Sequence, residues 1–441
     1  MEIKQITEQN PWWEDKEKIN NDEKIKEVFS KKHKLIFPFE KGNFLIIGPR
    51  QVGKTTHLKL TLKNLIEKGF DPKRLLYFSC ELLKNFEEII EIVRFSDSLI
   101  KGEKYFFFDE ITFIKDWQRA IKYILDSPLT EEKFFYITAS SSIALRKETF
   151  PGRNIEIKNF LPLTFRKFTQ VFGTEKLKEK INSLKIEKIN IEEVYEKIKE
   201  IFFFFKEISE LFNKYLKSGG FPRSMYELME EDVIREETLE IYWKWLIADI
   251  AKIERSERIT HSILIAILKN YGTRFSLNSI AKEMEIGSHV TIREYLEILE
   301  NLFVLRNIFP FDFKKGVEIF RKMRKVYFID PFLFTVFKKI LTRRSIEVEE
   351  ISKIIEGIVG EHLIRKLGKL HYLIAKTKKE IDFFLDKTAI EVKWQEKVSF
   401  RDFPHLINIE NKILLSKSDL DFLKKEKTLI LPLPLFLVLL E

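Results

Sequence analysis

The stretch Gly48-Pro-Arg-Gln-Val-Gly-Lys-Thr55 holds two glycines, a lysine and a hydroxyl at the G-x-x-x-x-G-K-T spacing of a phosphate-binding loop. Such a loop needs a strand before it and a helix after it, so that its amides and the helix N-terminus face one anion. The apolar run 44–47 and the helical periodicity from Thr56 to Ile66 supply both. The pattern predicts that Gly48, Pro49, Arg50, Gln51, Val52, Gly53, Lys54, Thr55 and Thr56 contact a nucleotide, ATP. Lys54 would pair with the β- and γ-phosphates, and the Thr55 hydroxyl would bind Mg²⁺.

A second stretch, Tyr105-Phe-Phe-Phe-Asp-Glu110, reads as a buried strand that delivers two carboxylates at its end. Asp109 is expected to hold Mg²⁺, directly or through water, and Glu110 to polarise an attacking water. One carboxylate suffices for nucleotide binding; the pair points to hydrolysis. The next strand, 134–138, runs into Thr138-Ala-Ser-Ser-Ser142, where Ser140, with Ser141 close behind, is the candidate γ-phosphate sensor. The same serines would equally cap a helix. Arg153 sits on the tight turn Phe150-Pro-Gly-Arg153 and is a candidate arginine finger, toward its own nucleotide or a neighbouring subunit's.

The third constellation lies near the C-terminus. Glu361 falls on a helix-like run 354–367, Asp382 on the strand-like 380–385, and Glu391 and Lys393 on 389–394. Alternation along a strand puts Glu391 and Lys393 on one face, where Asp382 of the neighbouring strand can join them. Two or three carboxylates there could hold Mg²⁺, with the lysine orienting a water.

Two resemblances rest on these residues. Asn10-Pro-Trp-Trp13, the Gly48–Thr55 loop, Asp109-Glu110, the Thr138–Ser142 strand end, Gly152-Arg153, Leu161-Pro-Leu-Thr-Phe165 and Gly219-Gly-Phe-Pro222 together resemble the prokaryotic AAA+-type ATPases of the archaeal ATPase group. That resemblance implies an ATPase, and it covers nearly the whole chain. Glu361, Asp382 and Glu391-x-Lys393 are similar to the PD-(D/E)xK nuclease-like pattern, which implies a metal-dependent nuclease or a domain that has kept only its frame.

The elements that must position these groups follow the chain. Residues 1–40 read as an N-terminal arm with two docking tryptophans, 41–170 as the P-loop ATPase core and 171–255 as a helical lid. Residues 256–312 read as a winged helix and 313–441 as a restriction-endonuclease-like α/β domain. The expected fold class is therefore α/β, with a parallel P-loop sheet whose strands are 44–47, 75–79, 105–108 and 134–138. The Gly219-Gly220 break is the expected hinge of the lid, and Ile201-Phe-Phe-Phe-Phe205 the expected doubly packed helix. In the winged helix, His289, Thr291 and Arg293 open the recognition helix, but Glu294, Glu297 and Glu300 temper its charge, so DNA contact stands level with a purely structural or protein-binding role.

Composition narrows the classes further. At 441 residues the chain exceeds one core, and 44% hydrophobic with 33% charged residues is globular. A formal net charge of +9 permits an anionic partner without requiring one. The single cysteine, Cys80, excludes an internal disulfide and a cysteine zinc site, as suits a cytoplasmic protein. No run is long enough to span a bilayer, and the apolar 429–440 is expected to form buried strands. The first reading is thus an ATPase whose turnover moves DNA-associated modules. The others are a slow nucleotide-dependent switch binding a protein partner, self-assembly into a homo-oligomer included, and a DNA nuclease.

Overall fold

The computed structural model describes residues 3–141, 150–312, 315–320, 323–374, 379–385, 387–403 and 409–440; Ser142, the last of the hydroxyl cluster, lies outside them. Contacts divide the chain into two compact units, Met1–Leu161 and Pro162–Glu441.

The first unit is an α/β layer structure. Five strands, β1 (Phe44–Ile47), β2 (Leu75–Ser79), β3 (Lys104–Asp109), β4 (Lys133–Ala139) and β5 (Glu156–Asn159), align in the order β2-β3-β4-β1-β5. Every pairing is parallel, and β1, β2 and β3 are apolar almost throughout because helices cover both faces. Helices Lys54–Glu67, Glu87–Leu99 and Trp117–Leu125 fill the crossovers.

The arm belongs to this unit and closes the sheet's β2 edge. An edge strand leaves alternate backbone groups unpaired. Here Ser79 N donates to Gln9 Oε1 at 2.8 Å, and Tyr77 N donates to Asn10 Oδ1 at 2.7 Å. Asn10 Nδ2 returns a bond to Tyr77 O at 2.9 Å, while the Trp12 and Trp13 indole N–H groups both reach Leu75 O, at 3.0 and 2.9 Å. Side chains of one short segment thus replace a sixth strand, and Trp12 is buried in doing so.

The second unit centres on a nine-stranded mixed sheet. Its strands are β6 (Leu305–Asp312), β7 (Val317–Glu318), β8 (Lys325–Phe328), β9 (His371–Ile374), β10 (Glu380–Leu385), β11 (Thr388–Val392), β12 (Asn411–Ser416), β13 (Asp421–Leu423) and β14 (Thr428–Pro432). Three helices, Glu257–Lys269, Leu277–Glu283 and His289–Asn301, precede β6, capped by Ser256, Ser276 and Ser288. The antiparallel pair β6–β8 follows them, but β6 also pairs in parallel with β9. The strands after the third helix therefore run past the expected end at residue 312 and join the C-terminal sheet.

Three further expectations change. The Gly219-Gly220 break is a packing site rather than an open hinge: Gly220 N donates to Asp330 Oδ2 at 2.8 Å, and Gly220 O accepts from Leu163 N at 2.8 Å. A Cβ at Gly219, where φ is +60°, would stand 1.7 Å from Asp330 Oδ1, so backbone and carboxylate meet where only glycine can lie. Phe202–Phe204 form a single 3₁₀ turn that leaves Phe203 90% exposed, instead of a helix packed on two sides. The tail after β14 is the buried helix Leu433–Leu439, because Pro434 sits in its first turn, where proline favours a helix start.

Candidate functional site

The loop after β1 makes two residues adopt left-handed backbone, Gln51 at φ +63° and Gly53 at φ +93°. The helix Lys54–Glu67 starts directly behind them. Gly48 is pressed against the chain beyond β5, since an added Cβ would lie 1.9 Å from Phe160 O. Lys54 is buried, its ammonium donating to Gly48 O at 2.9 Å and Pro49 O at 2.8 Å and lying 3.6 Å from Glu110 Oε1. Burial pulls the Lys54 ammonium below its ordinary value, while Glu110 and Asp109 oppose that shift. An anion in the loop would oppose it too.

Asp109 ends β3, and Glu110, the next residue, turns the chain away from the strand at φ +53°. The Thr55 hydroxyl donates to Asp109 Oδ2 at 2.7 Å, the Tyr77 hydroxyl to the same oxygen at 3.0 Å, and the Thr138 hydroxyl to Oδ1 at 2.6 Å. Thr138 Oγ1 also accepts from Glu110 N at 2.8 Å, so one hydroxyl ties the two acids together. Glu110 Oε2 is buried without a hydrogen-bond partner among the described residues. A buried orphan carboxylate oxygen, an ammonium 3.6 Å from the other oxygen of the same carboxylate and a helix N-terminus on a left-handed turn are the donor and acceptor set that a Mg²⁺-nucleotide and an attacking water require. Thr55 and Asp109 are the residues that would hold the metal.

Lys54, Thr55, Asp109 and Glu110 thus come together as expected. Ser140 is buried just after β4, yet the hydroxyl on the acid pair is that of Thr138. Arg153 gives its guanidinium to Asp126, with Nε at 2.8 Å and Nη2 at 2.6 Å, and so is engaged within its own unit. Tyr77 and Thr138 escaped the sequence reading. Tyr77 had a signal, a phenol inside an apolar strand, whose hydroxyl must find a partner once buried.

The C-terminal constellation is assembled differently. Glu361 is buried between Arg306, at 3.0 Å, and Arg365, at 2.7 Å, which hold its carboxyl below the usual range against the opposing effect of burial. It is a structural ion pair and stands apart from the Asp382 cluster. The helix Val348–Leu367 contributes Glu356 in its place, and ligand oxygens of Glu356, Glu380 and Asp382 lie within 4.8 Å of one another. Asp382 and Glu391 face each other across β10 and β11, and Lys393 pairs with Glu391 at 2.7 Å. Among these acids sits the buried Lys325 ammonium, bonded to Glu356, 2.5 Å from Glu380 and 3.5 Å from Asp382. Burial pushes Glu356 up to about 8 and Glu391 to about 7, with Asp382 adding to both. Arg274 takes the remaining side of Glu380 at 2.6 Å. Lys325 and Arg274 thus already offset part of the charge of Glu356, Glu380 and Asp382, and a divalent metal would compete with the Lys325 ammonium for their oxygens.

Residues 40–169 match a family described as an AAA domain. Residues 209–344 match a second family, described only as a domain of unknown function. An uncharacterised protein of Methanocaldococcus jannaschii is 27% identical over 301 residues, 65% of this chain and 60% of that protein's length. An uncharacterised protein of Haemophilus influenzae is 23% identical over 412 residues, covering 86% of this chain and 91% of that one. Among solved structures, the Aeropyrum pernix ORC1 protein in complex with DNA aligns at a TM-score of 0.31 and 15% identity over 68% of this chain and 87% of that chain, too weak a likeness to argue from. No described helix is long and apolar enough to cross a membrane.

Proposed function

We propose that the first unit binds and hydrolyses MgATP, and that turnover drives a conformational change in DNA-associated modules of the second. The observation that carries this reading is the junction of Thr55 with Asp109 at 2.7 Å beside Lys54 and Glu110 at 3.6 Å. Mg²⁺, when bound, neutralises charge on the phosphates and their leaving oxygens. Lys54 would leave its loop carbonyls for the β- and γ-phosphates, and Thr55 and Asp109 would hold the metal. Glu110 would orient the attacking water through its buried Oε2, with Thr138 fixing the angle between the acids. Arg153 could serve as a finger only by releasing Asp126.

The DNA part is supported by three capped helices followed by the β6–β8 pair, a winged-helix order in which His289 and Arg293 are exposed at the start of the third helix. The test is ATP hydrolysis by wild type, Lys54→Ala and Glu110→Gln, each with and without duplex and single-stranded DNA. Both variants should lose turnover, and DNA should raise the wild-type rate. A rate independent of Lys54 would sink the ATPase reading, and one indifferent to DNA would remove the DNA part. Very slow hydrolysis with a large ATP-driven change in oligomer size would assign the regulatory switch instead.

A further inference from the structure

We infer that Tyr77 is a positioning residue for the Asp109 carboxylate and that the N-terminal arm sets Tyr77, so that the arm governs how tightly the site takes a divalent cation beside a nucleotide. This rests on the reading that Asp109 is a metal-holding residue.

Asp109 accepts three hydroxyls, and each comes from a different element. Thr138 lies on the neighbouring β4 and Thr55 on the loop helix. Tyr77 lies on β2, the edge strand, in register with Phe107, and its ring reaches forward along the sheet to the carboxylate. Of the two donors on Oδ2, Thr55 is itself expected to meet the metal, which leaves Tyr77 as the one that fixes that oxygen independently.

The position of Tyr77 is in turn decided by the arm. Both of its backbone groups bond to the Asn10 side chain, and Leu75, two residues earlier, is held by both indoles. Above its ring stands the Lys59 ammonium, 3.5 Å from the centroid, which pairs with Asp22 at 3.3 Å and faces the Trp12 ring at 5.2 Å. Arm residues therefore grip Tyr77 along its backbone, and Lys59 of the helix Lys54–Glu67, itself held by Asp22 of the arm, covers its ring face. An edge strand without such partners frays, and a frayed β2 would withdraw a hydrogen bond from Asp109.

Groups that orient a ligating side chain typically change metal affinity by tenfold or more when removed. The experiment is calorimetric titration of Mg²⁺ into ADP-loaded full-length protein, for wild type, Tyr77→Phe and Trp12→Phe, with ADP binding in EDTA measured alongside. Tyr77→Phe should weaken Mg²⁺ binding about tenfold while leaving metal-free ADP binding unchanged. Trp12→Phe, which removes one of two N–H donors on Leu75 O, should shift Mg²⁺ binding in the same direction by a smaller factor. Thermal melting identifies a variant that does not fold, in which case Asn10→Ala replaces it. Unaltered Mg²⁺ affinity in the folded variants, or an equal loss with and without metal, would overturn the inference. Wild-type protein that binds no ADP at all would instead overturn the ATPase reading, and this inference with it.

Discussion

Thr138 donates its hydroxyl to Asp109 at 2.6 Å and receives the Glu110 N–H on the same oxygen at 2.8 Å. A single side chain on β4 thereby sets both the rotation of one acid and the exit of the next from β3. Thr138→Val keeps the shape and removes both bonds. Turnover should fall about tenfold or more, since a hydrogen bond to a charged group is worth about 1.5–3 kcal/mol. ATP affinity, which depends on Lys54 and the loop, should change little. Steady-state kinetics together with equilibrium nucleotide binding separates the two effects.

Buried acids and a buried histidine give the second unit opposing dependences of stability on pH, and the acids outweigh the histidine. Asp330 is buried against Gly219 and Gly220, and burial pushes its carboxyl up to about 7. A raised carboxyl pKa in the fold means the unfolded chain loses that proton first, so stability falls as pH rises from about 4 toward 7. Glu391, at about 7, and Glu356, at about 8, act in the same sense. His362 opposes them. Its Nε2 accepts the Phe165 N–H at 2.8 Å and its Nδ1 faces Ile358 O at 2.7 Å, and burial holds its pKa down to about 4. Stability from His362 is therefore lost as pH falls from about 6.5 toward 4. Urea midpoints should fall as pH rises from about 4.5 to about 8, less steeply below about 6.5 where His362 opposes the acids, and Asp330→Asn should lessen the fall below about 7.

Lys325 is the counter-ion of a buried acid cluster. Lys325→Met would leave Glu356, Glu380 and Asp382 facing one another with Arg274 as a peripheral partner. Breaking a buried pair from one side costs about 3–5 kcal/mol. Chemical denaturation should show a loss of that order, larger at pH 8 than at pH 6, where the acids can take up protons instead. An unchanged midpoint would mean that the cluster is solvated rather than held by Lys325.

The residues legible in the sequence sit in short continuous motifs, even where, as for Thr55 and Asp109, their partners lie far along the chain. The phosphate loop is one continuous segment, so its residue types and order predict its backbone, and the strands on either side of it are uninterrupted apolar runs. Tyr77 and Thr138 depend instead on lateral register, which no local pattern carries. Glu361 and Glu356 show a different limit: both are acids on one helix, five residues apart, and at about 100° per residue they point to different sides. Only the placement of Arg306 and Lys325 decides which acid faces the Asp382 side. The Gly219-Gly220 pair was visible as a break, but its cause, the Asp330 carboxylate pressed against it, lies more than a hundred residues away.

The side-chain seal over β2 bears on how the first unit can be handled alone. The span that matches the AAA family starts at residue 40, after Gln9, Asn10, Trp12 and Trp13. A fragment cut to that span keeps every residue of the phosphate loop yet strips the partners from Leu75, Tyr77 and Ser79 along one side of the sheet. Exposed in this way, β2 becomes a template for strand exchange between molecules, so the shortened protein would self-associate where the longer chain has its edge closed.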